Sequence, residues 1–168
     1  PWSFALKEMY MRDFGDDSLW EVYGSTELGV DTLLRPEDQR RKPGSCGRAV
    51  LNVQTRVVDE AMNEIRPGEV GEIVHRSPHV MLGYFHDDER TRAAFEGGWF
   101  HSGDLATIDA EGYITVVDRK KDMIKTGGEN VASREVEEAI YRLPQVSEVA
   151  AVGINHPRWV EAVVAAIV

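Results

Sequence analysis

The chain has 168 residues, 42% of them hydrophobic and 29% charged, a balance that suits one or two soluble globular domains rather than a disordered or membrane-embedded chain. A net charge of −10 argues against a general nucleic-acid binder, and dense basic stretches are confined to Arg40-Arg41-Lys42 and Arg119-Lys120-Lys121. The single cysteine, Cys46, excludes a disulfide within the chain and fits a reducing cytoplasm; no apolar run reaches the roughly 20 residues of a membrane span, and Pro1-Trp2-Ser3-Phe4 has no features of a signal peptide.

Residues 4–12 predict a short amphipathic helix, with Ser3 as its N-cap. Leu19–Tyr23 reads as a buried strand that ends at Gly24. A charged loop with Pro36, Pro43, Gly44 and Gly47 follows. Alternation predicts a strand over 53–58, and after a turn at 63–68 residues 70–75 read as a second strand. Asp87–Phe95 predicts a helix with Asp87 and Asp88 at its start, and Gly97-Gly98 breaks it. Asp109-Ala110-Glu111-Gly112 is a tight turn into a strand at Tyr113–Val117. Ser133 is expected to cap a helix whose inner face is Val136, Ile140 and Leu143, stopped by Pro144. Strands at 146–154 and 162–168 complete the chain. The last of these is wholly apolar and is read as cut short. The pattern changes at Asp118 from β-rich with long loops to a small α+β unit, so residues 118–122 are the expected linker.

Four clusters carry chemistry. In Val22-Tyr23-Gly24-Ser25-Thr26-Glu27 a strand delivers an aromatic ring able to stack on a nucleobase, a glycine that admits close backbone approach, a hydroxyl pair, and a carboxylate suited to Mg²⁺ beside phosphate. In Gly98-Trp99-Phe100-His101-Ser102-Gly103-Asp104-Leu105 an acid at the end of a buried strand can accept both hydroxyls of a ribose. Asp118 through Lys125 mixes four basic residues with acids, and Thr126-Gly127-Gly128-Glu129-Asn130-Val131 joins paired glycines to a helix. Taken singly, each also reads as an ordinary turn or a solvated loop. His75, His79 and His86 lie on a strand and loop and form no zinc pattern, and Cys46 reads as structural.

In their order and spacing the four clusters resemble the adenylate-forming superfamily, and most closely its AMP-forming acyl-CoA synthetases. Tyr23-Gly24-Ser25-Thr26-Glu27 resembles the aromatic-Gly-x-Thr-Glu motif, and Gly71-Glu72-Ile73 with Gly83-Tyr84 the Gly-Glu-Ile…Gly-Tyr segment. Trp99 through Leu105 resembles the Ser-Gly-Asp-Leu motif, and Asp118 through Lys125, continued to Glu137, the hinge motif. The resemblance covers essentially the whole chain. It implies an α/β (α+β) fold in which residues 1–118 are the β-rich end of the large AMP-binding domain and residues 119–168 begin a truncated, mobile small domain.

For the site, the resemblance implies that Tyr23 stacks on adenine, with Gly24 and Ser25 beside the nucleotide. Thr26 would contact phosphate, and Glu27 would help to hold Mg²⁺. Asp104 and Arg119 would bind the ribose. Lys121 would be the pivot, and Lys125 and Gly128 would lie on the face that enters the site for thioester formation. The implied substrates are ATP, coenzyme A and a small carboxylic acid, fatty or aryl, in the cytoplasm. The family's Ser/Thr/Gly-rich phosphate loop and its late Gly-Lys lysine have no counterpart here, and no lysine follows Lys125. The isolated chain is therefore expected to make no acyl-adenylate. A peptide-synthetase adenylation domain and a non-catalytic nucleotide-binding remnant are the alternatives. Neither the acyl group nor the oligomeric state is legible.

Overall fold

A computed structural model describes residue 2 and residues 4–168 of the chain. The expected cap Ser3 lies outside the described residues. The chain divides into two compact units, Pro1–Ser102 with Ala106–Val116, and Gly103–Leu105 with Val117–Val168.

The first unit begins with helix α1, Phe4–Phe14, which buries Lys7 and Met11 one turn apart on a single face. The buried Lys7 ammonium is ion-paired with Glu21, at the start of strand β1 (Glu21–Ser25). β1 starts later than the sequence suggests and is not buried throughout. Tyr23 turns inward while Val22 is exposed, because β1 lies at the edge of a three-stranded sheet, β1-β2-β3. Strand β2 spans Gly29–Leu34 and β3 spans Arg48–Ala49. The β1–β2 register runs Tyr23↔Thr32 and then Gly24↔Val30, so Asp31 is the extra residue of a β-bulge opposite the Tyr23/Gly24 step.

A second sheet has the order β4-β5-β6-β7, with β4 Gln54–Val58, β5 Gly71–Arg76, β6 Phe100–Ile108 and β7 Ile114–Arg119. Alternation along β5 divides two cores. Ile73 packs with Cys46, Ala106 and Ile114, and Tyr23 lies against this group. Val74 points the other way, into Val58 and Trp99. Arg56 and Arg76 cover the Trp99 ring, each guanidinium carbon within 4.5 Å of its centroid. Helix α2, Asp88–Ala94, is capped as expected: the Asp87 carboxylate accepts from Arg90 N–H at 3.0 Å.

The Asp109–Gly112 turn is pinned by charge. Its Asp109 and Glu111 bind Lys42 at 2.5 and 2.6 Å, and Arg41 reaches Glu111 at 2.5 Å. Arg41, Lys42 and Arg48 surround the ring of Tyr113. The Tyr113 hydroxyl donates to the buried Asp38 carboxylate at 2.6 Å. That bond, with Arg41, holds Asp38 below the usual carboxylate range.

The second unit is a four-stranded antiparallel sheet of order β10-β11-β8-β9 with one helix. Its strands are β8 Ile124–Thr126, β9 Glu129–Val131, β10 Val149–His156 and β11 Val160–Ile167, and helix α3 spans Ser133–Ile140. Two expectations are corrected here. Ser133 is not the cap but the first helical residue, and the group that satisfies its N–H is Asp118. The Asp118 Oδ2 accepts from Ser133 N–H at 2.6 Å and from its hydroxyl at 2.9 Å. The helix also ends at Ile140, which leaves Leu143 exposed outside it. β7 runs through Arg119, so the turn begins only at Lys120, later than a linker starting at Asp118 implies. No helix among the described residues is long and apolar enough to cross a membrane.

Candidate functional site

The Tyr23–Glu27 turn is built by a backbone approach that only glycine admits. A Cβ at Gly24 would lie 1.9 Å from the Gly29 carbonyl oxygen across the hairpin. The tight turn that results brings Ser25 and Glu27 together. Ser25 Oγ donates to Glu27 Oε2 at 2.9 Å and accepts from Glu27 N–H at 3.2 Å. The other carboxylate oxygen, Oε1, accepts from the Tyr84 hydroxyl at 3.3 Å, and the Arg90 guanidinium lies 3.8 Å above the Tyr84 ring. Tyr84 is itself held, its N–H donating to Thr91 Oγ1 at 2.9 Å. Glu27's own backbone N–H, then Ser25, Tyr84 and the charge of Arg90, hold its carboxyl below the ordinary range, against a partial desolvation cost. Glu27 is therefore an ionised, oriented carboxylate at neutral pH. Thr26 is exposed beside it at the tip of the turn.

Among the described residues no group of three or more His, Cys, Asp or Glu is placed to hold a metal. The donor set fits a hard cation that takes its other ligands from phosphate oxygens and water, and it does not fit an all-protein cage.

In the second unit, Asp104 and Arg119 come together. Arg119 Nε is 3.9 Å from Asp104 Oδ1, and the adjacent backbone is fixed by Lys120 N–H donating to the Gly103 carbonyl at 2.8 Å. Asp104 stands in the middle of the nine-residue β6, not at a strand end as its sequence context suggests. Its neighbours on the strand are half-buried, which gives the acid a firmer mount than a turn would. Lys121 and Lys125 are exposed. Lys125 N–H donates to the Glu161 carboxylate at 2.6 Å, and Gly127 N–H to the Trp159 carbonyl at 3.0 Å, so the β8–β9 hairpin is tied to β11 by its backbone. Gly128 has φ +91° with open space around it. Cys46 is buried, and desolvation pushes its thiol pKa up, which agrees with a structural role.

Sequence reasoning missed one feature. His75 and Asp31 are both buried, with His75 Nδ1 2.7 Å from Asp31 Oδ1 and the His75 ring 6.1 Å from the Tyr23 ring, centroid to centroid. The one available signal was a lone acid inside the apolar run of β2, and nothing in the sequence announced the bulge that turns it inward.

The profile of the AMP-binding enzyme family matches residues 1–85, half of the chain, and the profile of the AMP-binding enzyme C-terminal domain matches residues 135–168. This chain belongs to the family of AMP-binding enzymes. The resemblance to adenylate-forming acyl-CoA synthetases read from the four motifs is thereby borne out. Indoleacetate–CoA ligase of Aromatoleum aromaticum is 42% identical over 97% of this chain and 32% of its own length. Long-chain-fatty-acid–CoA ligase of Escherichia coli O157:H7 is 43% identical over 81% of this chain and 24% of its own. Among solved structures, the o-succinylbenzoate CoA synthetase of Bacillus subtilis in complex with its acyl-adenylate intermediate matches with TM-score 0.92 at 32% identity, over 99% of this chain and 34% of that one. An amide bond synthetase of Marinactinospora thermotolerans matches with TM-score 0.81 at 36% identity, over 90% of this chain and 32% of that one. The chain thus spans at most about a third of the length of these relatives.

Proposed function

We propose that this chain is the nucleotide-gripping and hinge-bearing part of an ATP-dependent acyl-CoA ligase. In the first half-reaction a carboxylate oxygen of the acid attacks the α-phosphorus of ATP, and the bond to pyrophosphate breaks. In the second the thiol sulfur of coenzyme A, losing its proton, attacks the acyl carbon, and AMP leaves. Tyr23 stacks on the adenine, with Gly24 and Ser25 forming the turn beside it. Asp104 accepts from the ribose hydroxyls and Arg119 contacts the same sugar. Thr26 donates to phosphate, and Glu27 supplies a carboxylate for Mg²⁺, which when bound neutralises phosphate charge.

The observation that carries this reading is the state of Glu27: ionised and held on both oxygens, with no group of three or more ligating side chains among the described residues, which suits a cation shared with a polyphosphate. The relatives' names add support, since indoleacetate–CoA, feruloyl-CoA and long-chain-fatty-acid–CoA ligases are all acid–thiol ligases. They span aryl and fatty acids, so the acid class stays as broad as that. The B. subtilis enzyme is described in complex with ATP and magnesium, in keeping with those co-substrates here. In our reading, residues 1–118 and 119–168 are the two domain portions. Lys121 is the pivot between the half-reactions, and Lys125 and Gly128 serve the second of them. The work is placed in the cytoplasm. A peptide-synthetase adenylation domain is the second reading. The amide bond synthetase likeness supports it to the extent that a different acceptor can follow the same adenylate.

The test is acid-dependent exchange of pyrophosphate into ATP by the full-length protein whose reading frame contains this chain, followed by coenzyme A addition. Exchange with fatty or aryl acids and then thioester is expected. Exchange with amino acids alone, or no exchange, contradicts the proposal. The 168-residue chain by itself is expected to give none, since it has no lysine after Lys125.

A further inference from the structure

A buried polar cluster lies under the proposed adenine platform. Asp31 is 2% exposed and His75 is 1% exposed. His75 Nδ1–H donates to Asp31 Oδ1 at 2.7 Å, and Thr55 Oγ1 donates to the same carboxylate at 3.2–3.3 Å. Thr55 and His75 are directly opposed across β4 and β5. Among the described residues His75 Nε2 is buried with no hydrogen-bond partner. The His75 ring faces Tyr23 at a centroid distance of 6.1 Å and a tilt of 34°.

This cluster is costly. Two buried polar side chains and an orphaned ring nitrogen sit where Val, Leu or Ile would pack without penalty, and replacing both partners of a buried hydrogen bond by apolar groups of similar shape can be nearly neutral or stabilising. It is also aimed. Asp31 reaches the interior because it is the extra residue of the bulge opposite Tyr23 and Gly24. Bulges re-aim side chains and recur beside active sites. The same irregularity therefore orients the Tyr23 ring from below and sets where the chain turns into Gly24, Ser25, Thr26 and Glu27.

We infer that the Asp31–His75 pair is a positioning device for nucleotide binding: it locks the bulge and the seat of the Tyr23 ring, so that ring and turn are pre-set for an adenine nucleotide. The inference rests on the reading of Tyr23 as the adenine platform. Asp31 and His75 touch no substrate and act through Tyr23 and the turn.

The test compares variants of the full-length protein. Asp31→Val and His75→Leu each leave a buried partner orphaned and should lower Tm. The double variant Asp31→Val/His75→Leu should recover the Tm of the native protein. It should nevertheless raise KM for ATP by about tenfold, with KM for the acid and for coenzyme A unchanged within about twofold. A double variant with native Tm and native ATP KM would overturn the inference, as would an equal rise in all three KM values. His75→Asn keeps an N–H donor toward Asp31 and carries the test if the double variant does not fold. It should hold ATP KM within about threefold of native while His75→Leu does not, and equal values for the two would also overturn the inference. Tyr23→Ala separates the two failures. If it leaves ATP KM unchanged, the platform reading itself is wrong. If it raises ATP KM while the double variant does not, only the positioning role fails.

Discussion

Between Tyr23 and Glu27 the polar groups are tied into the fold: Ser25 and Glu27 bond each other twice, Tyr84 closes the second carboxylate oxygen, and a glycine packs so tightly that no side chain fits. Between Lys120 and Gly128 the ties run through backbone N–H groups, while Lys121 and Lys125 stand in solvent and Gly127 and Gly128 both have positive φ. The contrast fits two different jobs. Charge on a bound phosphate is best met by groups that need no reorganisation, which favours a carboxylate fixed in advance. A segment with the proposed role of serving two half-reactions would need backbone freedom and cations that remain hydrated in either arrangement.

The largest effect is expected at Glu27. Glu27→Gln keeps the size and the Ser25 contact but removes the charge, and kcat for adenylation should fall by about two orders of magnitude with Tm unchanged within a few degrees. Initial rates across a magnesium titration check this, and a rate that recovers fully at high magnesium would show that the loss lies in metal affinity. In the second region, Lys121→Pro removes the backbone freedom. It should slow one half-reaction at least about tenfold more than the other, measured by pyrophosphate exchange against single-turnover thioester formation. Equal loss in both would remove the pivot role.

Two smaller effects sharpen the contrast through stability. Tyr113→Phe deprives buried Asp38 of its shortest bond and should cost about 1–2 kcal/mol at neutral pH. Asp38 has a lowered pKa, so this contribution is present above the usual carboxylate range and is lost as pH falls through its folded value. Tyr113 is raised, by burial and by Asp38, so the contribution is also lost in strong alkali. Denaturant titrations of native and variant proteins should therefore converge in acid. The smallest change is a gain. Val160, exposed and β-branched, sits at φ +71° where it pairs with Thr126 beside the Gly127–Gly128 turn. Val160→Gly should relieve about 1 kcal/mol of backbone strain and raise Tm slightly.

Much of this was legible in the sequence because the motifs are contiguous. The order and spacing of four motifs, Tyr23-Gly24-Ser25-Thr26-Glu27 and Trp99 through Leu105 among them, carry the resemblance to the family, although each motif alone also reads as a turn or loop. Alternation likewise puts Val57 in a strand, and β-branched and aromatic residues do the same for Ile114. What escaped depends on partners far apart in the chain. Asp118 capping α3 lies 15 residues from Ser133, and no local pattern distinguishes it from Ser133 capping itself. Tyr84 reaching Glu27 spans 57 residues. The Asp31–His75 pair needs a bulge whose only trace is one acid within an apolar strand. Leu19, Trp20, Val22 and Tyr23 read as a buried strand, whereas the place of β1 at a sheet edge leaves Val22 in solvent.

We propose that Tyr23 offers its ring to an adenine and that Asp104 accepts from ribose hydroxyls. Calorimetric titration of AMP into the full-length protein tests it most directly. Heat is a better readout than tryptophan fluorescence, because Trp99 is shielded between Arg56 and Arg76 on the sheet face turned away from Tyr23. Native protein should bind AMP, and Asp104→Ala should weaken that binding by about ten- to a hundredfold, the worth of hydrogen bonds to a charged acceptor, with Tm unchanged. AMP affinity equal in native protein and Asp104→Ala would contradict the account.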